Sequence, residues 1–319
     1  MIYLVSTVFH NYAHRKVAAR PWVRQASYSR LLTQSHLPSA TYIFSDFDRL
    51  GFWELERAAH LYRSLRDGGC RVLNDPGRAL HRLGLLQRLR RDGINSFAAW
   101  PARDAELVDA FPVFLRTSRA HRGNLTELLS DPAALSAALE ALIEQGYPLS
   151  DLIVVQYRAA PIHDDVFRKL AMYRIGDAMV PALSVHERHW TAKHGQDGVA
   201  GAQAYREDLE QVRTAPYAPI LRQAFESAKI EYGRADYGLV DGRPEIYEIN
   251  TNPVIGDAEI SHPFADRSQA QALSSALYYE ALEALNTSEG GPEVALRRPE
   301  LLNVFTRRGA DMPPYDWVP

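Results

Sequence analysis

The stretch from Ile230 to Pro253 constrains this sequence more than any other. Two strand-like runs, each alternating polar and apolar side chains, flank Asp241-Gly242, and that pattern reads as a β-hairpin. Whether the turn holds an even or an odd number of residues decides which side chains share a face. If the loop is Asp241-Gly242 alone, Asp236 and Glu248 fall on opposite faces. If it is Val240-Asp241-Gly242, with Gly242 left-handed, the even-numbered residues of both strands face the same way. The sequence favours the second register. It puts Arg234, Asp236, Glu248 and Asn250 on one face, and Ala235, Tyr237, Leu239, Tyr247 and Ile249 on the other. Two carboxylates and an amide oxygen held together repel one another unless a cation sits among them. Hard oxygen donors of this number suit Mg²⁺. The alternative is a solvated hairpin face closed by an Arg234–Glu248 cross-strand ion pair.

The chain around the hairpin has 319 residues, of which 46% are hydrophobic, so it can bury a core and is long enough for about two domains at roughly 150 residues each. Intrinsic disorder is excluded. Lys and Arg number 36 against 39 Asp and Glu, a net charge of −3, so no global positive field draws the chain to nucleic acid or to an acidic membrane. One cysteine, Cys70, permits neither an intramolecular disulfide nor a thiolate zinc cluster and fits a reducing compartment. The apolar run at Met1–Val5 is too short for a signal-peptide core, and no span approaches the about 20 apolar residues that cross a bilayer. These features predict a soluble, cytoplasmic protein.

Buried strands are predicted at Ile2–Val8, Thr41–Phe44, Cys70–Leu73, Phe111–Leu115 and Leu152–Tyr157. Helices are predicted over Trp53–Leu65, in the segment that Asp75-Pro76 opens and Asp92-Gly93 closes, near Pro132–Gln145, at Tyr205–Val212 and at Pro219–Ala228. An extended pattern from Phe167 to Leu183, broken at Gly176-Asp177, reads as a second hairpin. The expected organisation is an α/β unit over 1–75, a second over 76–157, a third carrying the hairpin over 158–287, and an irregular tail over 288–319.

Gly233-Arg234-Ala235-Asp236, followed by Tyr247-Glu248-Ile249-Asn250-Thr251-Asn252-Pro253, resembles the metal-binding hairpin of the ATP-grasp superfamily, especially D-alanine:D-alanine ligase and glutathione synthetase. The resemblance implies an α/β (α+β) fold with a Rossmann-like N-terminal subdomain and two α+β subdomains clasping ATP. It implies that Asp236 binds one Mg²⁺, that Glu248 bridges two, and that Asn250 holds the second. Arg234 would face the transferred phosphate. Arg116, ending a strand before a loop that contains Gly123, and Arg82, in the helix after Asp75-Pro76, stand where the family carries phosphate-binding lysines. Arginine keeps the charge but differs in shape. Arg82 also reads as a surface residue of a helix rich in arginine.

The same resemblance makes Gln156 and Tyr157 adenine contacts, on a strand that any α/β core could bury. Lys169, or its neighbour Arg168, would reach the phosphates or else be an edge charge. Lys193 would lie on a loop closing over ATP or else be an ordinary exposed lysine. The implied activity is an ATP-dependent carboxylate-amine ligase working through an acyl phosphate, with a small-molecule kinase or an inactive nucleotide-binding module as alternatives. Its implied partners are a small carboxylate and an amine, with neither nucleic acid nor membrane, in a family where homodimers are common. Tyr12, His14, Arg15 and the Ser45–Asp48 turn are candidate acceptor contacts. His186 and His189 lack a clear third zinc ligand, and no Gly-x-x-x-x-Gly-Lys phosphate loop is present.

Overall fold

A computed structural model describes residues 1–119, 122–256, 260–287 and 291–296. The chain opens with β1 (Ile2–Ser6), shorter than the predicted run because Val8–His14 winds into a 3₁₀ helix. β2 (Val23–Ser27), α1 (Tyr28–Thr33) and the two-residue β3 (His36–Leu37) precede β4 (Thr41–Phe44). The helix α2 (Phe52–Asp67) then leads to β5 (Arg71–Leu73). The strands β2-β1-β4-β5 pair in that order and all run parallel. α2 starts where the Glu54 carboxylate accepts from the Gly51 N–H at 2.7 Å, and it stops at Gly68-Gly69 as expected.

Asp75 does act as a cap, accepting from the Gly77 N–H at 2.9 Å, but it caps only a 3₁₀ turn, Pro76–Arg78. The chain then extends, and α3 (Arg82–Arg91) is a separate helix. β6 (Ala99–Pro101), β7 (Val113–Thr117), α4 (Pro132–Glu144) and β8 (Leu152–Gln156) follow, with the strands antiparallel in the order β6-β8-β7. Alternation splits this sheet. Val113, Leu115 and Val154 pack on Leu135 and Leu139 of α4, whereas Phe114, Ile153 and Val155 face Leu86 and Phe97 on the other side.

The third sheet is antiparallel and is built from β9 (Pro161–His163), β10 (Val166–Ile175), β11 (Ala178–Glu187), β12 (Tyr232–Val240) and β13 (Arg243–Asn250). Its order is β11-β10-β12-β13, with β9 paired to β10, so the hairpin predicted around Gly176-Asp177 is present and longer than expected. α5 (Ala202–Thr214) and α6 (Ala218–Ala228) separate β11 from β12. α7 (Ala265–Glu283) packs against β10 and β11 and has no counterpart in the sequence reading. Residues 288–290 and 297–319 of the predicted irregular tail lie outside the described residues. Within that tail, β14 (Val294–Ala295) pairs antiparallel with β3.

Two buried asparagines fasten the third sheet to the earlier elements. Asn74, just past β5 and left-handed at φ 63°, donates to the carbonyls of Phe44 and Tyr232 at 2.9 and 2.7 Å. Its side-chain oxygen accepts from the N–H groups of Glu231 and Tyr232 at 2.7 and 2.9 Å. Asn95, after α3, exchanges both hydrogen bonds with the backbone of Ile246 in β13. Among the described residues no helix is long and apolar enough to cross a membrane.

Candidate active site

The turn between β12 and β13 is the two-residue loop Asp241-Gly242, with φ of 52° and 75°, and not the three-residue loop favoured by the sequence. A regular ladder from that turn would set Asp236 opposite Tyr247. A bulge between Tyr237 and Asp236 instead brings Glu248 opposite Asp236 and Asn250 opposite Arg234. The expected four-residue face therefore forms by a different route. Tyr247, expected in the core, turns the other way and lines the cleft with Glu248. Gly238 makes room for it, since a Cβ there would lie 2.3 Å from the Tyr247 hydroxyl oxygen.

Each carboxylate is held by two cations. Asp236, only 2% exposed, receives Arg234 through Nε at 2.8 Å and Nη2 at 3.3 Å, and Lys169 Nζ stands 3.4 Å away. Glu248 Oε2 accepts from Arg82 at 2.9 Å and from Arg116 at 3.3 Å. Arg82 also donates to the Thr117 carbonyl at 2.9 Å and is 6% exposed, which overturns its reading as a surface residue. Burial and the neighbouring Arg82 push the Arg116 guanidinium down to about 10, so it stays charged at neutral pH. Burial opposes the charge on Arg234, yet Asp236 outweighs it and holds the guanidinium above its ordinary value. Four cations around two carboxylates leave the cleft net positive, which suits a polyphosphate.

A cavity of about 600 Å³ lies between the three-stranded sheet and this face. Arg116, Lys169, Lys193, Asp236 and Glu248 line one part of it. Aromatic rings line another part: Trp190 packs on Phe114 with centroids 4.8 Å apart and edge-on to Tyr157 at 5.6 Å, and Phe97 lies 6.3 Å from Tyr247. Gln156 and Tyr157 both line it, although the Gln156 side-chain oxygen already accepts from the Ala98 N–H at 3.0 Å. A smaller cavity of about 250 Å³ adjoins it, sharing Lys169, Lys193 and Asp236, and Arg234 lines this one and not the larger. Asn250 is among the lining residues of neither cavity, and its side-chain oxygen accepts from the Asn252 N–H at 2.8 Å.

Two loops meet over the larger cavity. Glu127 Oε2 reaches His189 at 3.2 Å and the Trp190 indole at 3.4 Å. The Lys193 loop is shaped by Glu187, whose Oε1 accepts from the successive N–H groups of Lys193, His194 and Gly195. Partial burial opposes ionisation of Glu187, but these three donors prevail and hold its carboxyl below the ordinary value. Among the described residues no three His, Cys, Asp or Glu side chains group to hold a metal. The donor set that remains, Asp236 and Glu248 face to face with the Asn250 amide beside them, fits a hard cation completed by phosphate oxygens.

Sequence reasoning missed Phe97, Phe114, Trp190 and Tyr247 as cavity walls. They come from four separate segments, and the one available signal was the aromatic at 190 just before Lys193. Of the acceptor candidates, His14 is wholly buried, with its pKa lowered to about 4 by burial, and cannot meet a substrate. Asp46 is 4% exposed and accepts from the Thr7 backbone at 3.1 Å, so it serves the interior.

A parallel sheet followed by two antiparallel sheets that enclose a charged cleft defines the ATP-grasp fold, and this chain has it. It superposes on D-alanine-D-alanine ligase from Coxiella burnetii with a TM-score of 0.50 and 11% identity, over 97% of this chain and 99% of that one. D-alanine–D-alanine ligase from Bacillus anthracis in complex with ATP is similar at a TM-score of 0.48 and 15% identity, over 89% and 98% of the two chains. An ATP-grasp RimK domain protein from Sphaerobacter thermophilus gives 0.48 and 15%, over 86% and 98%. No protein-family model and no curated protein matches the sequence.

Proposed function

We propose that this chain is an ATP-dependent ligase that joins a carboxylate to an amine. One observation carries the reading. Asp236 and Glu248, paired across a bulged hairpin and flanked by Arg234, Lys169, Arg82 and Arg116, stand where an aromatic cavity large enough for a nucleotide meets a smaller one. The aromatic part would take the adenine, and Arg116, Lys169 and Lys193 the phosphates. Arg82 would support them by holding Glu248 in place. Asp236 and Glu248, with Asn250 beside them, would hold Mg²⁺, which when bound neutralises charge on the phosphate oxygens.

In this reading an oxygen of the substrate carboxylate attacks the γ-phosphorus and the bond to ADP breaks, leaving an acyl phosphate. The amine then attacks the acyl carbon, phosphate departs, and the proton lost by the nitrogen passes to phosphate or water. Arg234 orients the carboxylate and draws off the charge that spreads in the transfer. Lys193 and the Glu127–His189 contact close the cleft against water, which would hydrolyse the intermediate. Phosphorylation of a hydroxyl is disfavoured, because the described lining of the smaller cavity has no histidine and its one carboxylate, Asp236, is engaged by Arg234 and Lys169.

The test is titration of ATP into the protein with and without Mg²⁺, repeated on Asp236→Ala, followed by phosphate release from carboxylate and amine pairs. Mg²⁺-dependent binding that the substitution weakens, with turnover abolished, is the expected result. Near-normal turnover in Asp236→Ala or Glu248→Ala rejects the assignment.

A further inference from the structure

We infer that the smaller cavity seats the carboxylate substrate, and that Gln271 and Ser275 of α7 select a short acid whose far end carries a neutral hydrogen-bonding group. The inference rests on the ligase reading above. At about 250 Å³ the cavity falls below the roughly 300–1,000 Å³ of sites for drug-sized ligands, so its occupant is small. Among the described lining residues Lys169, Lys193 and Arg234 stand against one carboxylate, Asp236, so the end nearest the hairpin attracts an anion. Because Lys169, Lys193 and Asp236 also line the larger cavity, an acid held there lies beside the phosphate end of the nucleotide.

Away from the hairpin the lining changes character. Tyr173, Val185, Ile255 and Tyr278 form apolar walls, and α7 contributes Gln271, Ser274 and Ser275. Ser274 spends its hydroxyl on the Pro181 carbonyl at 2.7 Å. Ser275, 6% exposed, instead accepts from Gln271 Nε2 at 2.9 Å, which leaves its own proton to be donated. An occupant that displaces water from the cavity and offers no acceptor leaves that proton unpaired, at a cost in free energy. An acid ending in a hydroxyl or an amide supplies that acceptor, and one ending in a methyl group does not. A charged tail would be stranded, since the described lining from α7 holds no ionised group. This pair of polar residues therefore tells an acid with a polar tail from its hydrocarbon isostere.

Hydroxylamine traps acyl phosphates as hydroxamates, so the natural amine need not be known. The experiment supplies ATP, Mg²⁺, hydroxylamine and matched acids: glycolate against propionate, 3-hydroxypropionate against butyrate, 4-hydroxybutyrate against pentanoate, and succinamate against succinate. The wild type is expected to prefer one polar-tailed acid over its partner by at least about tenfold in kcat/KM. Gln271→Leu and Ser275→Ala should each cut that preference while ATP affinity stays within about twofold, the preference and not the rate being the readout. Absence of any preference in the wild type overturns the inference, as does a preference that neither substitution moves. Hydroxamate formed equally from both members of every pair rejects the inference and leaves the ligase reading standing. No hydroxamate from any acid rejects the inference, and no ATP binding at all rejects both.

Discussion

Gly238→Ala should be far more damaging than a glycine-to-alanine change in a strand ordinarily is. Alanine in a strand interior is normally favoured over glycine by roughly 0.5–1 kcal/mol. At Gly238 the new Cβ would lie 2.3 Å from the Tyr247 hydroxyl oxygen and 3.1 Å from its Cζ, so the ring must move. Overpacking of this kind costs about 1–3 kcal/mol. Displacing the ring also breaks the hydrogen bond from the Tyr247 hydroxyl to the Arg158 carbonyl at 3.0 Å, worth about 1 kcal/mol. The expected loss of stability is therefore about 2–4 kcal/mol by urea unfolding. ATP affinity should fall with it, because the displaced ring moves within the larger cavity. In a Tyr247→Ala background the obstacle is gone, and the same Gly238→Ala step should be neutral or stabilising by roughly 0.5–1 kcal/mol. An equal cost in both backgrounds would refute the argument, because the penalty would then lie in the β12 backbone and not in the ring above it.

Other expectations concern the cavity, the sheet junction and pH. Trp190→Ala should weaken ATP by about 1–3 kcal/mol, the value of one base–aromatic stack, with thermal stability little changed; unchanged affinity by titration would remove Trp190 from the nucleotide site. Asn74→Ala strands two N–H groups and two carbonyls in the interior and forces alanine into a left-handed conformation, so a loss of at least about 4 kcal/mol is expected by chemical denaturation. His14 and His186 both have pKa values lowered to about 4, chiefly by burial, so the unfolded chain takes up protons before the folded one does. Stability from each should be intact above pH 6.5 and fall between 6.5 and about 4, at up to about 1.4 kcal/mol per pH unit. A stability profile that is flat over that window and unaltered by His186→Gln would contradict the burial argument.

The legible parts of this structure were those in which local chemistry acts alone. Asp241-Gly242, Gly176-Asp177, Asp131-Pro132 and Gly68-Gly69 each mark a boundary that the fold respects. The bulge was not legible, because an inserted residue is set by packing across two strands and leaves no mark in the turn. α7 was hidden for another reason: its buried positions are Ala270, Ser274, Ser275, Tyr278 and Leu282, and the first three are small, so the apolar stripe that announces a helix is confined to its C-terminal end. β2 likewise reads Val-Arg-Gln-Ala-Ser, an edge strand with two buried positions. In the site, hairpin spacing groups Arg234, Asp236 and Glu248, and the family resemblance adds Arg82, Arg116, Lys169 and Lys193, whereas the aromatic walls converge from residues 97, 114, 190 and 247 and meet only in the folded chain.

The bulge also makes two tasks of the hairpin separable. Tyr247 is the extra residue, and removing it would let Glu248 step into the regular position opposite Asp236. A chain shortened by that one residue would keep its acidic pair aligned and lose a wall of the nucleotide cavity. The hairpin can therefore gain or shed an aromatic side chain without disturbing its carboxylates, a latitude that point substitution within an unbroken ladder does not offer. Deletion of Tyr247 asks whether cation binding survives when base binding is impaired.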